Sequence, residues 1–383
     1  MAIVGAGPAG LAAALTLADA NVDFVLLDRQ AEGTDTSRAC VVHARTLEVL
    51  DELDVARELH KHGILVPRFT VREGARTLAT VPFNDLPSAY PYALMVPQDI
   101  TEAVLLDRLH ESGADAHRPY QVTGIAPDDT GVTVTFTHRD GTPGTIRASY
   151  VIGADGMHST IREQAGIGFT GETYPISFIL ADVRMTWPLQ RDEVTLQLSP
   201  EGPTVVVPLP DDGDQDRYRV VATVADAPER LGIADIQAIL DTRGPTPGQA
   251  RVKNVIRSSR FQIHHRVADH YRAGRIFLTG DAAHVHSPVG GQGMNTGIQD
   301  TVALGRLLAR VQAGEPDTVL NTYQTTRRPV ALNVVAFTDR MTRMATLHTQ
   351  PARILRNTTL RLLTRIPAVR RAIAYQLAEL ATR

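Results

Sequence analysis

The sequence predicts an α/β fold: a Rossmann-like dinucleotide-binding domain, an inserted antiparallel β-sheet and a C-terminal helical segment. Three observations predict it. The chain opens on "MAIVGAGPAGLAAALTLADANVDFVLLDR", which reads as strand, glycine loop, helix and second strand in succession. Two further stretches, "YVIGADGMHSTIR" and "RIFLTGDAAHVHSPVGGQGMNTGIQD", each place a glycine-bearing loop after a short strand and before a helix. Other segments, such as "FILADVRMTW" and "YRVVATV", alternate or run apolar between turn signals, as strands do.

The opening unit contains Gly5-Ala6-Gly7-Pro8-Ala9-Gly10, a G-x-G-x-x-G loop. Gly5 suits the tight turn, Gly7 lets a pyrophosphate reach the backbone, and Gly10 lets helix and strand pack closely. The helix that follows presents free N–H groups and the positive end of its dipole to an anion. The second strand ends in Asp28, with Arg29 beside it, about twenty residues past the last glycine, where such a fold places a carboxylate for a ribose hydroxyl. This unit by itself fits either FAD or NAD.

Length and composition narrow the class. The chain has 383 residues, 43% hydrophobic and 21% charged, with a formal net charge of −3, which gives no basic field for nucleic acid. Cys40 is the single cysteine, so no intrachain disulfide and no Cys-based metal cluster forms. No signal peptide and no apolar run of membrane-spanning length is found, so a cytoplasmic enzyme, monomeric or homodimeric, is expected and an integral membrane protein is not. His284 and His286, two residues apart without a third ligand, do not make a metal site.

The three motifs together, in this order, resemble the FAD-dependent class A aromatic hydroxylases. These are flavoprotein monooxygenases of the para-hydroxybenzoate hydroxylase fold. The "GGQGMNTGIQD" form looks most like the phenol and polyketide hydroxylase branch. The resemblance runs from Ile3 to about Pro329. It implies FAD as cofactor and NADH or NADPH as transient reductant. It further implies O₂-dependent hydroxylation of a small aromatic substrate, phenolic or polyketide-like, through a flavin C4a-hydroperoxide.

The resemblance also implies residue roles. Asp28 holds the adenosine ribose, and Arg38 meets the pyrophosphate with a permanently charged guanidinium. Gln98, in "MVPQDITEAVLLDRL", contacts the ribityl or phosphate region. Asp155 serves the fold near the phosphates, and Asp281, after Gly280, takes a ribityl hydroxyl. Pro288 lies beside the isoalloxazine, and the backbone of Gly291, Gln292, Gly293, Met294 and Asn295 donates to its pyrimidine end. Asp28 stands where the family commonly has Glu. The C-terminal thioredoxin-like domain of the polyketide branch is not expected in the roughly fifty residues after Pro329.

The FAD-binding parts are expected at 1–68, 97–168 and 265–330, the substrate-binding sheet at 69–96 and 169–264, and the helical segment at 331–383. Its tail, "LRLLTRIPAVRRAIAYQLAEL" (360–380), is basic and amphipathic, and is expected to pack on the FAD domain with its arginines outside rather than to touch a membrane surface. No catalytic residue is assigned; Arg45 and His43 are the candidates. Tyr174, Trp187, Gln197 and Phe261 are candidates for lining the substrate pocket, and Cys40 is expected to be a packing residue. The remaining alternatives are a reductase of the same fold acting on an isoprenoid or other hydrophobic substrate, and a non-catalytic flavin-binding redox module. A halogenase is disfavoured because Trp187 is the only Trp and the two lysines, Lys61 and Lys253, lie in the wrong contexts.

Overall fold

Ala2–Val4 lies at the centre of a six-stranded sheet because each of its side chains is apolar and buried, as a parallel strand covered on both faces requires. Ile3 pairs with Leu26 of Val25–Leu27 on one side and with Ile152 of Val151–Gly153 on the other, both in parallel. Ile276–Leu278 continues the sheet beyond Val151–Gly153, and Ala116–His117 flanks Val25–Leu27. Arg272–Ala273 adds an antiparallel edge. The coordinates are a computed structural model that describes residues 1–33, 39–211, 213, 215–224, 228 and 230–382.

The helices, in chain order, are α1 (Pro8–Asp19), α2 (Ala44–Asp51), α3 (Ala56–His62), α4 (Gln98–Glu111), α5 (Thr160–Gln164), α6 (Ile233–Arg243), α7 (Gly293–Gln312), α8 (Asn321–Ala345), α9 (Gln350–Leu363) and α10 (Pro367–Leu377). The Ala- and Leu-rich α1 is buried along nearly its whole length, with α7 and α4 packed against it. Glycines on α7 permit the close approach. A Cβ at Gly305 would lie 2.7 Å from Thr16 Cγ2, and one at Gly297 would lie 3.0 Å from the Gly280 Cα.

The second large sheet has eight strands in the order His284–Val285, Arg251–Ala268, Phe169–Thr186, Arg217–Val224, Thr204–Pro208, Glu193–Gln197, Arg68–Glu73 and Arg76–Pro82. The expected hairpin at 68–83 is present and joins this sheet. One expectation fails: the sheet is not wholly antiparallel, because Glu193–Gln197 runs parallel to Arg68–Glu73. The two strands are joined by a long excursion through the other sheets, so no tight turn imposes reversal. Alternation sorts the faces. Phe178, Leu180 and Leu196 point inward, whereas Ile179, Ala181 and Val206 form the outer face with Ile236 and Leu240 of α6.

Two smaller sheets complete the frame. Tyr120–Pro127, Val132–His138 and Pro143–Ala148 form an antiparallel meander not separated out in the sequence reading. Ala93–Met95 pairs with Val41–Val42 and Ile64–Val66, so this strand, grouped by sequence with the substrate sheet, adds no strand to it. The tail also departs from expectation. α9 and α10 pack on Arg76–Pro82 of the eight-stranded sheet. Within 360–380 no arginine is buried, and Arg365 and Arg371 are exposed, as expected. Arg356, just before that stretch, is buried with its guanidinium against the Ala345 and Met344 carbonyls and Glu73. Among the described residues, no helix is long and apolar enough to cross a membrane.

The α1–α7 contact is tight enough to test. Gly305→Val forces branched methyls into Thr16, and overpacking of this kind costs about 1–3 kcal/mol. A thermal melt of the variant is expected to shift down by several degrees.

Candidate functional site

Three strand ends of the six-stranded sheet meet over the G-x-G-x-x-G loop. Gly5 has φ +100°, a conformation a side chain disfavours, and a Cβ on it would collide with the Ala154 carbonyl. A Cβ on Gly10 would collide with the Gly5 carbonyl. Gly7 is the opposite case: nothing lies within 4 Å of where its Cβ would be. Two glycines are therefore compressed against backbone, and the third opens onto a cavity. Gly7 is the N-cap of α1 and Pro8 its first residue, so the N–H groups of the first turn have no intrahelical partner.

Asp28 stands at the end of its strand, but its carboxylate is engaged by this loop. Oδ2 accepts from the Ala6 N–H at 2.6 Å and Oδ1 from the Gln30 N–H at 2.7 Å. Arg29 is exposed and lines the cavity beside Gly7 and Pro8. Ala9 lines it as well. Gln98, the first residue of α4, accepts from the Ala39 N–H at 3.3 Å and donates to Glu102 at 2.8 Å. Asp155 caps α5: Ser159 Oγ donates to it at 2.5 Å and the Ile161 N–H at 3.1 Å. Burial pushes its pKa above the ordinary carboxylate value. Arg38 lies outside the described residues.

The opposite wall is the loop from Gly280 to Asn295. Gly280, Gly290 and Gly291 take φ +58°, +91° and +65°, and a Cβ on Gly291 would collide with Val41. Asp281 and Pro288 are exposed to the cavity, and Gly293 and Met294 line it at the start of α7. Gln292 is buried, its amide donating to the Gln376 carbonyl. Asn295 is a cross-brace. Its amide donates to the Val41 and Gly291 carbonyls, and its oxygen accepts from the His43 N–H at 2.8 Å. His43 Nε2 lies 2.8 Å from the Gly290 carbonyl, so that nitrogen carries the proton. Burial holds the His43 pKa down at about 4, so the ring is a neutral strut. Arg45 pairs with Glu48 at 2.9 Å and does not line the cavity.

These walls enclose a cavity of about 550 Å³ that runs from the glycine loop to the eight-stranded sheet. Its sheet end is apolar: Phe69, Phe178, Leu196, Val207, Val221 and Phe261 face it. Phe178 and Phe261 are cross-strand partners with ring centroids 6.1 Å apart. One charged row crosses this wall. Asp182 is fully buried, accepting from Arg219 Nε at 2.7 Å and from Arg257 Nε at 2.6 Å. Burial opposes its ionisation, but the two guanidiniums outweigh it and hold the pKa below the ordinary value. Arg219 also donates to the Ala39 carbonyl at 2.9 Å, fastening the sheet to the far side of the cavity.

Of the proposed lining residues, Phe261 faces the cavity; Gln197 and Trp187 do not, the latter packing with the outer-face cluster. The Tyr174 side chain lies outside the described residues. Cys40 packs against an apolar cluster and also lines the cavity beside Arg219; burial raises the pKa of its thiol. His284 is buried and bonded to Asp300 at 2.9 Å, and Asp300 to Arg327 at 2.5 Å. No three metal-ligating side chains cluster among the described residues. Sequence reasoning missed Asp182, Arg219, Glu102 and the tail residue Leu377, which reaches the cavity. Asp182 and Arg219 left a signal: each is a charged residue set against an apolar run, "FILA" before Asp182 and "VVA" after Arg219.

The cavity has the features FAD needs. Bare helix N-termini face its polar end, glycines leave room at the backbone, and Asp281 supplies an acceptor beside them. Comparison with known proteins agrees. A family described as "FAD binding domain" matches residues 1–338. The chain is 35% identical to the 12-dehydrotetracycline 5-monooxygenase/anhydrotetracycline 6-monooxygenase of Streptomyces rimosus, over 87% of this chain and 67% of that one. It is 32% identical to an uncharacterized aromatic compound monooxygenase of Bacillus subtilis, over 100% of this chain and 75% of the relative. Among solved structures, the OxyS anhydrotetracycline hydroxylase from Streptomyces rimosus superposes with a TM-score of 0.82 at 33% identity, covering 99% of this chain and 75% of that one. The p-nitrophenol 4-monooxygenase PnpA from Pseudomonas putida gives 0.86 at 26% identity, covering 100% and 97%. The chain belongs to the FAD-dependent class A flavoprotein monooxygenases, the aromatic hydroxylases. FAD is its cofactor, and NAD(P)H is the reductant typical of that family.

Two outcomes follow from this geometry. Gly10→Val drives a side chain into the Gly5 carbonyl, and fluorescence titration of the apoprotein with FAD is expected to show at least a hundredfold weaker binding. His43 titrates near 4 when folded and at an ordinary 6.5 when unfolded. The unfolded chain takes up the proton first on acidification, so stability falls as pH drops from about 6.5 toward 4, by up to about 1.4 kcal/mol per pH unit for this one group. Urea unfolding at pH 7, 5.5 and 4.5 is expected to show a shallower decline for His43→Asn.

Proposed function

We propose that this enzyme hydroxylates a hydrophobic phenolic or polyketide-like aromatic, with NADH or NADPH as reductant. The observation that carries the reading is the apolar wall of the eight-stranded sheet joined directly to the cofactor end of the same cavity. A flat aromatic buried there is desolvated on both faces. The relatives' names, which specify 12-dehydrotetracycline, anhydrotetracycline and pentachlorophenol, support the same substrate class. In balance, one oxygen atom of O₂ replaces a ring hydrogen as hydroxyl. The other leaves as water, and NAD(P)H supplies two electrons.

Each part of the chain has a task in this reading. The first turn of α1, with Gly7, receives the diphosphate on backbone N–H groups. Arg29 and Asp281 hold the polar length of the cofactor, and Asp28 acts mainly by fixing the glycine loop. The start of α7, with the Gly290–Asn295 loop, offers donors to the ring's pyrimidine end, where negative charge gathers on reduction. When bound, FAD supplies the oxygen activation. The sheet excludes water and orients the substrate, and Asp182 with Arg219 and Arg257 stiffens that wall. Residues 1–68, 97–168 and 265–330 serve the cofactor, and 69–96 and 169–264 chiefly the substrate. The working compartment we infer is the cytoplasm.

The test is anaerobic reduction of the FAD-loaded protein, followed by rapid mixing with O₂ and a panel of phenols and polycyclic quinols. Hydroxylated product, one per NAD(P)H consumed, is the expected result. Hydrogen peroxide as the sole oxygen product with every aromatic would overturn the substrate class. Leu196 lies on the sheet wall, so Leu196→Arg is expected to lower kcat/KM at least tenfold while leaving FAD affinity within about twofold.

A further inference from the structure

The end of α10 carries a conformation that its residue does not favour. Ala378 caps the helix, and the next residue, Glu379, has φ +58°. This is the position after a helix C-cap where the left-handed conformation is common and glycine usually supplies it. Here the residue is a glutamate, and its side chain is buried. Backbone geometry alone would be served better by glycine, so the carboxyl must account for the residue's presence.

That carboxyl reaches into α7. Gln299 Nε2 donates to Oε2 at 2.5 Å, and Thr296 Oγ1 lies 3.4 Å from Oε1. The same Gln299 amide also reaches Thr46 Oγ1 on α2 at 3.0 Å. The neighbouring backbone adds two ties to the same region. The Ala378 carbonyl accepts from the Arg45 N–H at 3.2 Å, and the Gln376 carbonyl accepts from Gln292 Nε2 at 3.3 Å. Four contacts from residues 376–379 thus converge on α2, on the N-cap of α7 and on its first two turns. These are the elements that frame the Gly290–Asn295 loop.

We propose that Glu379 is a positioning residue for the flavin. Its carboxyl locks α7 against α2 and so sets where the N–H groups at the start of α7 meet the pyrimidine end of the isoalloxazine. Burial drives its pKa well above the ordinary carboxylate value. A neutral acid here braces the helix without adding negative charge near a ring that becomes negative on reduction. The inference rests on the placement of the flavin at this loop.

The experiment compares Glu379→Gln, Glu379→Gly, Gln299→Leu and Gly291→Val with the parent protein. FAD affinity is measured by titration of apoprotein, the bound flavin by its visible circular dichroism and midpoint potential, and the apoprotein by thermal melt. Glu379→Gly removes the carboxyl while easing the backbone, so the apoprotein is expected to stay folded. It should nevertheless bind FAD about tenfold more weakly, with altered flavin dichroism and a shifted potential. Gln299→Leu should reproduce this from the partner side, and Glu379→Gln should remain within about twofold of the parent. If folded Glu379→Gly matches the parent in affinity, dichroism and potential, the positioning role is overturned. If Gly291→Val also keeps full FAD affinity, the placement of the flavin at this loop fails with it. Loss in Gly291→Val alone overturns only the role of Glu379.

Discussion

The molecule depends on one steric constraint, the near-contact of backbone with backbone at Gly5, Gly10 and Ala154. The carbonyls of Gly5 and Ala154 occupy the space where side-chain carbons of residues 10 and 5 would sit. That approach brings α1 down onto the strand ends and leaves Gly7 as the one bare residue facing outward. Everything at the polar end of the cavity is measured from this point. Asp28, bonded to the Ala6 N–H, holds the loop at its rim. α7 reaches the same place only because Gly297 and Gly305 let it lie against Gly280 and Thr16.

The opposite end of the cavity follows another logic. A sheet wall of branched and aromatic side chains is apolar because alternate residues of each strand share a face. Into that wall the chain places one acid between two arginines, Asp182 with Arg219 and Arg257. Such a group is costly to bury, and the loss of one partner strands the other's charge. The reward here is geometric: Arg219 also grips the Ala39 carbonyl, so the substrate sheet and the cofactor walls hold a fixed separation. His43 and Asn295 act similarly within the flavin loop. Both are polar and buried, with Asn295 spent on backbone partners and His43 Nε2 on the Gly290 carbonyl, an arrangement that braces the loop.

Several features were readable because they are local. The three glycine motifs, the strands before them and the helices after them follow from residues adjacent in sequence, and the structure places α1, α5 and α7 where those signals stand. The turn and close-approach roles of Gly5 and Gly10 were legible for the same reason. What was not legible is pairwise and distant. Arg45 stood as a catalytic candidate, yet Glu48, one helical turn on, claims it. Arg356 gave no sign of burial in the sequence, yet the fold lays a carboxylate and two carbonyls over it. Strand direction between Arg68–Glu73 and Glu193–Gln197 failed for the same cause, since no short turn connects them.

The sequence by itself determined that this is a dinucleotide-type α/β enzyme, and its motifs were enough to resemble the flavin hydroxylases. Glycine placement, strand alternation and helix onset are dictated by backbone sterics within a few residues. Only the tertiary structure decided which side chains meet across hundreds of positions. It brings Leu377 from the tail to the cavity wall, pairs Asp182 with Arg219 across neighbouring strands, and packs Glu379 against α7. The reason is physical. The partners of a buried polar group are chosen by what the folded chain brings within about 3 Å, and that proximity is written in no local stretch of residues.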